Sequence, residues 1–258
     1  MTWVQVDRGE LLERSAHDPY VRWALPSEVI AVASDQGWAC VAPWRRGRSH
    51  WGGVAVVRPW AGERAESEAF AALAELADRD GVSVEWFSTH HERGLVIPAG
   101  YVTVGAGSWD FLWTDDVPAA DGSVAFHELH DGDDATLIST FGHAHNPAFE
   151  GFPGHGHASL WLAVRDDAGD LVALGGVHEL ASGIPHLSGI VVHTAHRGRG
   201  LGRALTAELT RRAIEEAGVS TLGVYSDNMP ALRLYERLGY RTAHRFTTRS
   251  LATVADAG

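Results

Sequence analysis

The stretch HRGRGLGRAL, His196 to Leu205, constrains the fold of this chain more than any other. An apolar β-branched run, SGIVV (188–192), leads into it, and an amphipathic run, LGRALTAELTRRAIEEAG (201–218), leaves it. In the second run Leu201, Leu205, Leu209 and Ala213 recur every fourth residue. Glu208–Arg212 and Arg211–Glu215 are spaced to pair on its outer side, and Gly218 stops it. The reading is strand, tight turn, helix. A helix N-terminus carries unpaired N–H groups and a partial positive charge. Arg197, Arg199 and Arg203 therefore crowd where cations are unfavourable, unless an anion sits against the turn. Gly198, Gly200 and Gly202 remove side chains, so backbone amides can approach phosphate oxygens closely. The segment predicts a phosphate or pyrophosphate cradle.

The rest of the composition narrows the ligand. The chain carries 33 Asp+Glu against 21 Lys+Arg, a formal net charge of −12. Long-range repulsion of phosphate backbones argues against nucleic-acid binding. The Lys-Ser/Thr ending of a nucleotide-hydrolysing loop is absent, and so is the G-x-G-x-x-G spacing of dinucleotide folds. No apolar run approaches the length of a membrane span, and the N-terminus lacks a basic start followed by an apolar core. A cytoplasmic protein without a signal peptide is the expectation. The single cysteine, Cys40, excludes an intramolecular disulfide and any Cys-based zinc site, and reads as a small buried hydrophobe.

Both halves of the 258 residues show a related order of elements. In the second, SVAFHEL (123–129) alternates like a strand and DGDDATLISTFGHAH starts a short helix. HASLWLAVRD and LVALGGVHEL form a hairpin around DAGD, and PHLSGIVVH is a third strand. After helix 201–217 come strand STLGVYS, helix DNMPALRLYERLG with Asn228 or Asp227 as cap, and strand YRTAHRFTTRSL. The tail ATVADAG reads as frayed. In the first half EVIAVASDQGWACVAP reads as a hairpin, HWGGVAVV as a strand, ERAESEAFAALAELADRDG as a helix and VSVEWFS as a strand. A further strand lies within GLVIPAGYVTVGAGSWDFLW, and STHHERG (88–94) reads as a surface turn. GVS closes a helix and opens a strand at Gly81 and again at Gly218; GY follows 19 residues later in the first case and 21 in the second. A tandem duplication is expected, with domains at 1–118 and 119–258 and a boundary in the turn-rich TDDVPAADG. Matched through GVS, HRGRGLGRAL falls on PWAGERAESE (59–68), where the glycine pattern is gone. Nine of the ten tryptophans lie in the first half and read as packing residues before they read as an acceptor pocket.

The motif RGRGLG resembles the acyl-CoA pyrophosphate signature R-x-x-G-x-G of the GNAT superfamily of N-acetyltransferases, with Arg197, Gly200 and Gly202 in its fixed positions. NMPALRLYERLGY is similar to that family's N-x-x-A-x-x-L-Y-x-x-x-G-[FY] stretch through Asn228, Ala231, Leu234, Tyr235, Gly239 and Tyr240. The clear resemblance covers about residues 123–250; the first half matches as a degenerate copy. It implies an α/β fold of the α+β type: tandem GNAT-like domains, each a mixed, mostly antiparallel sheet flanked by helices. It also implies a splay between strands 186–192 and 221–226 that takes the pantetheine arm of acetyl-CoA.

The same resemblance implies direct transfer of an acetyl group from acetyl-CoA to the amine of a small molecule or peptide. Tyr235 falls at the position of the family's general acid for the leaving thiolate. Backbone groups of Ile190, Val191 and Val192 fall where the thioester is held. Arg197, Gly198, Arg199, Gly200, Leu201, Gly202 and Arg203 fall at the pyrophosphate, with Asn228, Ala231 and Tyr235 completing the cofactor set. The family often uses a glutamate as base on the strand before the turn. Counting back from Arg197, His186 stands there, and an imidazole near its ordinary pKa suits the task. Glu179 and His178 on the preceding strand are rivals, and deprotonation through water alone stays open. FGHAHNPAFEGFPGHGH (141–157) brings His143, His145, His155 and His157 into one loop, read as acceptor-shaping or solvated rather than metal-binding. No metal is expected. A CoA-binding module without turnover, and transfer of a longer acyl chain, are the alternatives. The sequence leaves acceptor and oligomeric state open.

Overall fold

The computed structural model describes residues 2–45, 50–91, 93–120 and 122–254. In chain order it contains β1 (Val4–Val6), α1 (Arg8–Arg14), a π-turn (Tyr20–Ala24), β2 (Ile30–Ser34), β3 (Gly37–Pro43), β4 (Trp51–Val57), α2 (Ala65–Arg79), β5 (Val84–His90) and β6 (Tyr101–Thr114). There follow β7 (His127–Leu129), α3 (Ala135–His145), β8 (Ala158–Arg165), β9 (Leu171–Glu179), β10 (Pro185–Val192), a 3-10 turn (Thr194–His196), α4 (Leu201–Ala217), β11 (Ser220–Tyr225), α5 (Met229–Arg237) and β12 (Arg241–Thr253).

The chain forms two compact units that are not contiguous in sequence. The first takes the chain up to Phe111, then Val224–Asn228 and the stretch from Thr242 onward; the second takes Leu112–Gly223 and Met229–Arg241. In the first unit the strand order is β1-β2-β3-β4-β5-β12-β6. Its ladders between β1 and β2, β2 and β3, β3 and β4, and β5 and β12 are antiparallel, while β4 and β5 run parallel. β12 is thus the last strand of the chain and an interior strand of the first unit, with Phe246 opposite His90 and Ser250 opposite Trp86. The apolar face of α2 (Ala69, Phe70, Leu73, Ala77) closes this sheet over Val32, Val41, Ala55, Phe87 and Leu251. Phe70 stacks on Phe87 with ring centroids 4.0 Å apart.

The second unit has the order β11-β10-β9-β8-β7, antiparallel except for β10 with β11. Leu205, Leu209 and Ala213 of α4 are fully buried, as their four-residue spacing predicts. Glu208 takes Arg212 at 2.8 Å and Glu215 takes Arg211 at 2.5 Å, the two pairs expected from the sequence. A second core forms from Ile138, Phe141, Phe149, Trp161, Leu174 and Val191. Each unit therefore contains one parallel strand pair joined through one long helix. Gly81 and Gly218, which end those helices, share a left-handed φ of 69° and 72°.

Several local expectations change. SVAFHEL is a strand only over its last three residues. Ser88, Thr89 and His90 lie inside β5 rather than in a surface turn, with Ser88 and Thr89 buried. Their polarity is matched across the ladder, since the Ser88 hydroxyl meets Thr248 Oγ1 at 2.6 Å. Ala252 and Thr253 belong to β12, so the tail begins later than expected; residues 255–258 and Glu92 lie outside the described residues. The N-terminal elements β1, α1 and the π-turn carry too few periods to be read from sequence. Trp38 and Trp161 are buried packing residues, whereas Trp60 is exposed. Among the described residues no helix is long and apolar enough to cross a membrane.

Candidate active site

The glycine-rich turn folds as a platform of bare backbone. Gly198 and Gly200 have φ of 76° and 84°, a region that penalises any side chain with a Cβ. A Cβ at either position would meet nothing within 4 Å, so the conformation is set by the backbone path rather than by crowding. Gly200 is the N-cap of α4 and offers no side-chain cap. The first helical bond runs from the Ala204 amide to the Gly200 carbonyl, which leaves the amides of Leu201, Gly202 and Arg203 ahead of the ladder. The first turn contains no acid to neutralise them.

The three arginines, alike in sequence, are unlike in structure. Arg197 donates through Nε to Val192 O at 3.3 Å and through Nη2 to His145 O at 2.5 Å. It ties the end of β10 to the end of α3. Arg199 spends one donor on Ala195 O at 3.3 Å. Arg203 is exposed and has no partner among the described residues. Three imidazoles surround the Arg197 tie. The rings of His145 and His193 lie 4.1 Å apart, and those of His193 and His196 5.1 Å apart. Desolvation first, then His193 and Arg197, hold the His145 pKa below its ordinary value, so its ring stays neutral beside the guanidinium.

β10 approaches this turn through a kink. The register between β10 and β9 shifts between Ser188 and Val191, and Gly189 inside the shift has φ of 65°. A Cβ there would meet ring atoms of Phe149 and Trp161 at 3.0 Å. The parallel ladder to β11 runs through His186–Thr221 and Leu187–Leu222, just before the kink. Ile190, Val191 and Val192 follow it and lead into the glycine turn, where a Cβ on Gly202 would sit 3.4 Å from Val192.

Two tyrosines on and after α5 are buried side by side, their ring centroids 5.8 Å apart. The Tyr240 hydroxyl meets Thr210 Oγ1 at 2.9 Å and Ser220 Oγ at 2.6 Å. The Tyr235 hydroxyl has no hydrogen-bond partner among the described residues. Burial pushes the Tyr235 pKa up to about 12, which keeps it a neutral phenol, and therefore a proton donor, throughout the neutral range.

His186 is buried on β10, with Nδ1 3.0 Å from Thr221 Oγ1. The Thr221 hydroxyl donates to Pro185 O at 2.9 Å, so the neutral imidazole donates through Nδ1–H and carries its basic lone pair on Nε2. His178 stands opposite it in register and is fully buried against the edge of Trp161. Glu179, paired with Pro185, is half-buried at the end of β9, its amide on His157 O at 3.0 Å. Ala231 lies in the second unit with these groups; Asn228 falls in the first. Of the histidine-rich loop, His143 and His145 are helical residues of α3. Among the described residues no three His, Cys, Asp or Glu side chains are grouped to hold a metal ion. Thr221, Thr210 and Ser220 had no signature in the sequence; Gly189, a glycine inside a β-branched run, did.

The corresponding helix end in the first unit is built differently. α2 starts after Arg64, whose φ is an ordinary −96°. Glu66 in its first turn is fully buried and paired with Arg93, Nε to Oε1 at 3.2 Å. Arg93 also donates to Gly62 O and Ala61 O, at 3.1 and 3.3 Å. Burial raises the Glu66 pKa, against the opposing pull of its own backbone amide and of Arg93.

Residues 125–240 match the model of the Acetyltransferase (GNAT) family. That segment is similar to the GNAT acetyltransferases. The GNAT segment contains both the glycine turn and the tyrosine pair. The chain is 32% identical over 153 residues to a mycothiol acetyltransferase of Mycobacterium leprae, the alignment covering 48% of each. It is 39% identical over 75 residues to N-alpha-acetyltransferase 40 of Saccharomyces cerevisiae, covering 26% of each. The chain thus spans about half the length of the mycothiol acetyltransferases it matches. A GNAT-family protein from Novosphingobium aromaticivorans superposes with a TM-score of 0.54 at 21% identity, covering 94% of this chain and 96% of that one. A GCN5-related N-acetyltransferase from Kribbella flavida gives 0.50 at 17%, covering 94% and 93%. At these identities the two structures speak to the fold.

Proposed function

We propose that the chain is an acetyl-CoA-dependent N-acetyltransferase acting on the primary amine of a small molecule or peptide. Residues 119–258 form its catalytic copy and 1–118 a degenerate one. The observation that carries the reading is the uncapped N-terminus of α4, entered through left-handed Gly198 and Gly200 and flanked by Arg199 and Arg203. It offers amides and cations to a pyrophosphate and no competing carboxylate. Backbone groups of Ile190, Val191 and Val192 are assigned to the thioester, and Gly202, Leu201, Asn228 and Ala231 to the remaining contacts with the cofactor.

The chemistry is direct attack in a ternary complex. The amine nitrogen, having given its proton to Nε2 of His186, bonds to the thioester carbon. The carbon–sulfur bond breaks, the departing sulfur takes the proton of the Tyr235 hydroxyl, and the further proton that the nitrogen sheds as it becomes an amide returns through solvent to the Tyr235 oxygen. Glu179 is the alternative base. In the first unit the Glu66 carboxylate already occupies the equivalent helix turn, which supports one cofactor per chain.

The test has two arms. Acetyl-CoA and CoA should each raise the melting temperature of the protein, with one molecule bound per chain by calorimetry. An amine panel should then include one that drives thiol release from acetyl-CoA. Arg203→Ala should weaken CoA binding by about tenfold, the scale of one charge-assisted contact, without changing the melting temperature. Arg197→Ala should weaken binding and also lower the melting temperature, since two carbonyls lose their donor. No shift with CoA would defeat the cofactor assignment. Binding without thiol release from any amine would make the chain a binding module.

A further inference from the structure

The first unit contains a cleft of about 490 Å³ lined by His91, Gly107, Ser108, Tyr225, Ser226 and Asp227. That volume suits a small molecule. The direction of the hydrogen bonds of its lining residues defines which kind. Asp110 is buried and holds the lining residue Ser226, with Oδ1 2.5 Å from the Ser226 hydroxyl and Oδ2 3.5 Å from Arg245 Nε. A carboxylate has no proton to give, so Ser226 donates, and only its lone pairs remain for a ligand. Asp227 is exposed, and its carboxylate has no hydrogen-bond or ion-pair partner among the described residues. The exposed Tyr225 ring forms one wall, and aromatic faces attract cations. Ser108 Oγ and His91 Nδ1 both converge on Thr247 Oγ1, at 3.3 and 3.1 Å, which fixes two further polar groups along the cleft. The cleft therefore presents acceptors and negative charge, and selects a ligand rich in donors and positive charge.

We propose that this cleft binds a small hydroxyl-bearing alkylammonium compound. Its ammonium group rests on Asp227 and the Ser226 oxygen, and its hydroxyls on Ser108 and His91. Such a compound is either the amine that the enzyme acetylates or a ligand held unchanged. The binding claim itself does not depend on acetyl transfer.

The experiment uses glucamine, a linear amino alcohol, and sorbitol, its uncharged counterpart, titrated calorimetrically into the full chain without acetyl-CoA. Glucamine should bind and sorbitol should not. Asp227→Asn should weaken glucamine binding by about tenfold, and added salt should weaken binding to the unsubstituted protein. Asp227 is exposed, so the variant should keep its melting temperature; Ser226→Ala provides a second, independent loss of affinity. Equal binding of the two probes, binding of neither, or unchanged affinity in both variants overturns the proposal. A parallel thiol-release assay separates the sources. Release with glucamine that falls in Asp227→Asn identifies the acceptor amine. Binding without release identifies a ligand that is not acetylated, and either result supports the site.

Discussion

Replacing Tyr235 with phenylalanine should cut acetyl-CoA-dependent thiol release by a factor on the order of 10² to 10⁴, the usual contribution of a positioned acid. Stability should change by less than about 0.5 kcal/mol, because the hydroxyl that is removed has no partner among the described residues and leaves no orphan behind. Tyr240→Phe is the internal control. Its hydroxyl is engaged by Thr210 and Ser220. Losing it should cost roughly 1–3 kcal/mol while leaving the acid in place. The two rings are neighbours of the same type, so opposite outcomes in turnover and in melting temperature separate chemistry from packing. Undiminished turnover in Tyr235→Phe would remove the acid from the proposed mechanism. Burial also sets the alkaline behaviour. Tyr235 ionises only near pH 12 in the folded chain and near 10 when unfolded, so the folded state binds the extra proton between those values. Stability from this group is intact below pH 10 and falls as pH rises from there toward 12.

Cutting the chain between Pro118 and Ala119 should abolish folding of both pieces. A fragment ending at Pro118 lacks β12, and with it the ladder from Phe246–His90 to Ser250–Trp86. It also loses Phe246 and Leu251 from the core, each worth about 1.5–3 kcal/mol on burial. His244 holds both oxygens of Asp18 at 2.9 Å, and its removal leaves that carboxylate without its imidazole. These losses together rival the whole stability of a domain, about 5–15 kcal/mol. The complementary fragment, 119–258, keeps β12 but exposes Phe246 and Leu251 along a bare edge, a setting for aggregation. Expressed separately, each piece should be insoluble or lack a cooperative thermal transition; expressed together, they should co-purify as one soluble species. Cooperative melting of 1–118 alone would show that β12 is dispensable.

The elements were far more legible than their partners. Apolar spacing gave α4, and apolar runs joined by a turn gave the hairpin of β8 and β9. The glycine turn was legible because glycine, arginine and helix start fall within one short stretch. Pairings between distant residues left no local trace. Nothing in YRTAHRFTTRSL says that it lies beside β5, some 160 residues earlier. Thr221 behind His186 and Asp18 behind His244 are equally silent, since a hydrogen bond between remote side chains imposes no periodicity on either segment. STHHERG was misread for a related reason. Its polar residues suggested solvent, but in β5 the Ser88 hydroxyl is matched by Thr248 of β12 and Thr89 accepts from Arg249. Arg197, Arg199 and Arg203 could not be ranked until the carbonyls that hold the first two were in view.

The buried Glu66–Arg93 pair gives the two halves different relations to metabolism. At the head of α2 the chain supplies its own carboxyl group, paired with Arg93, so that turn is complete as soon as the polypeptide folds. At the head of α4, on the proposed function, the matching anion comes from solution. A ligand at a hundred times its Kd adds about 2.7 kcal/mol to the state it binds. Scarcity of acetyl-CoA and CoA would then loosen the second unit first. Hydrogen exchange at α4 should follow the cofactor pool, while exchange at α2 stays indifferent to it.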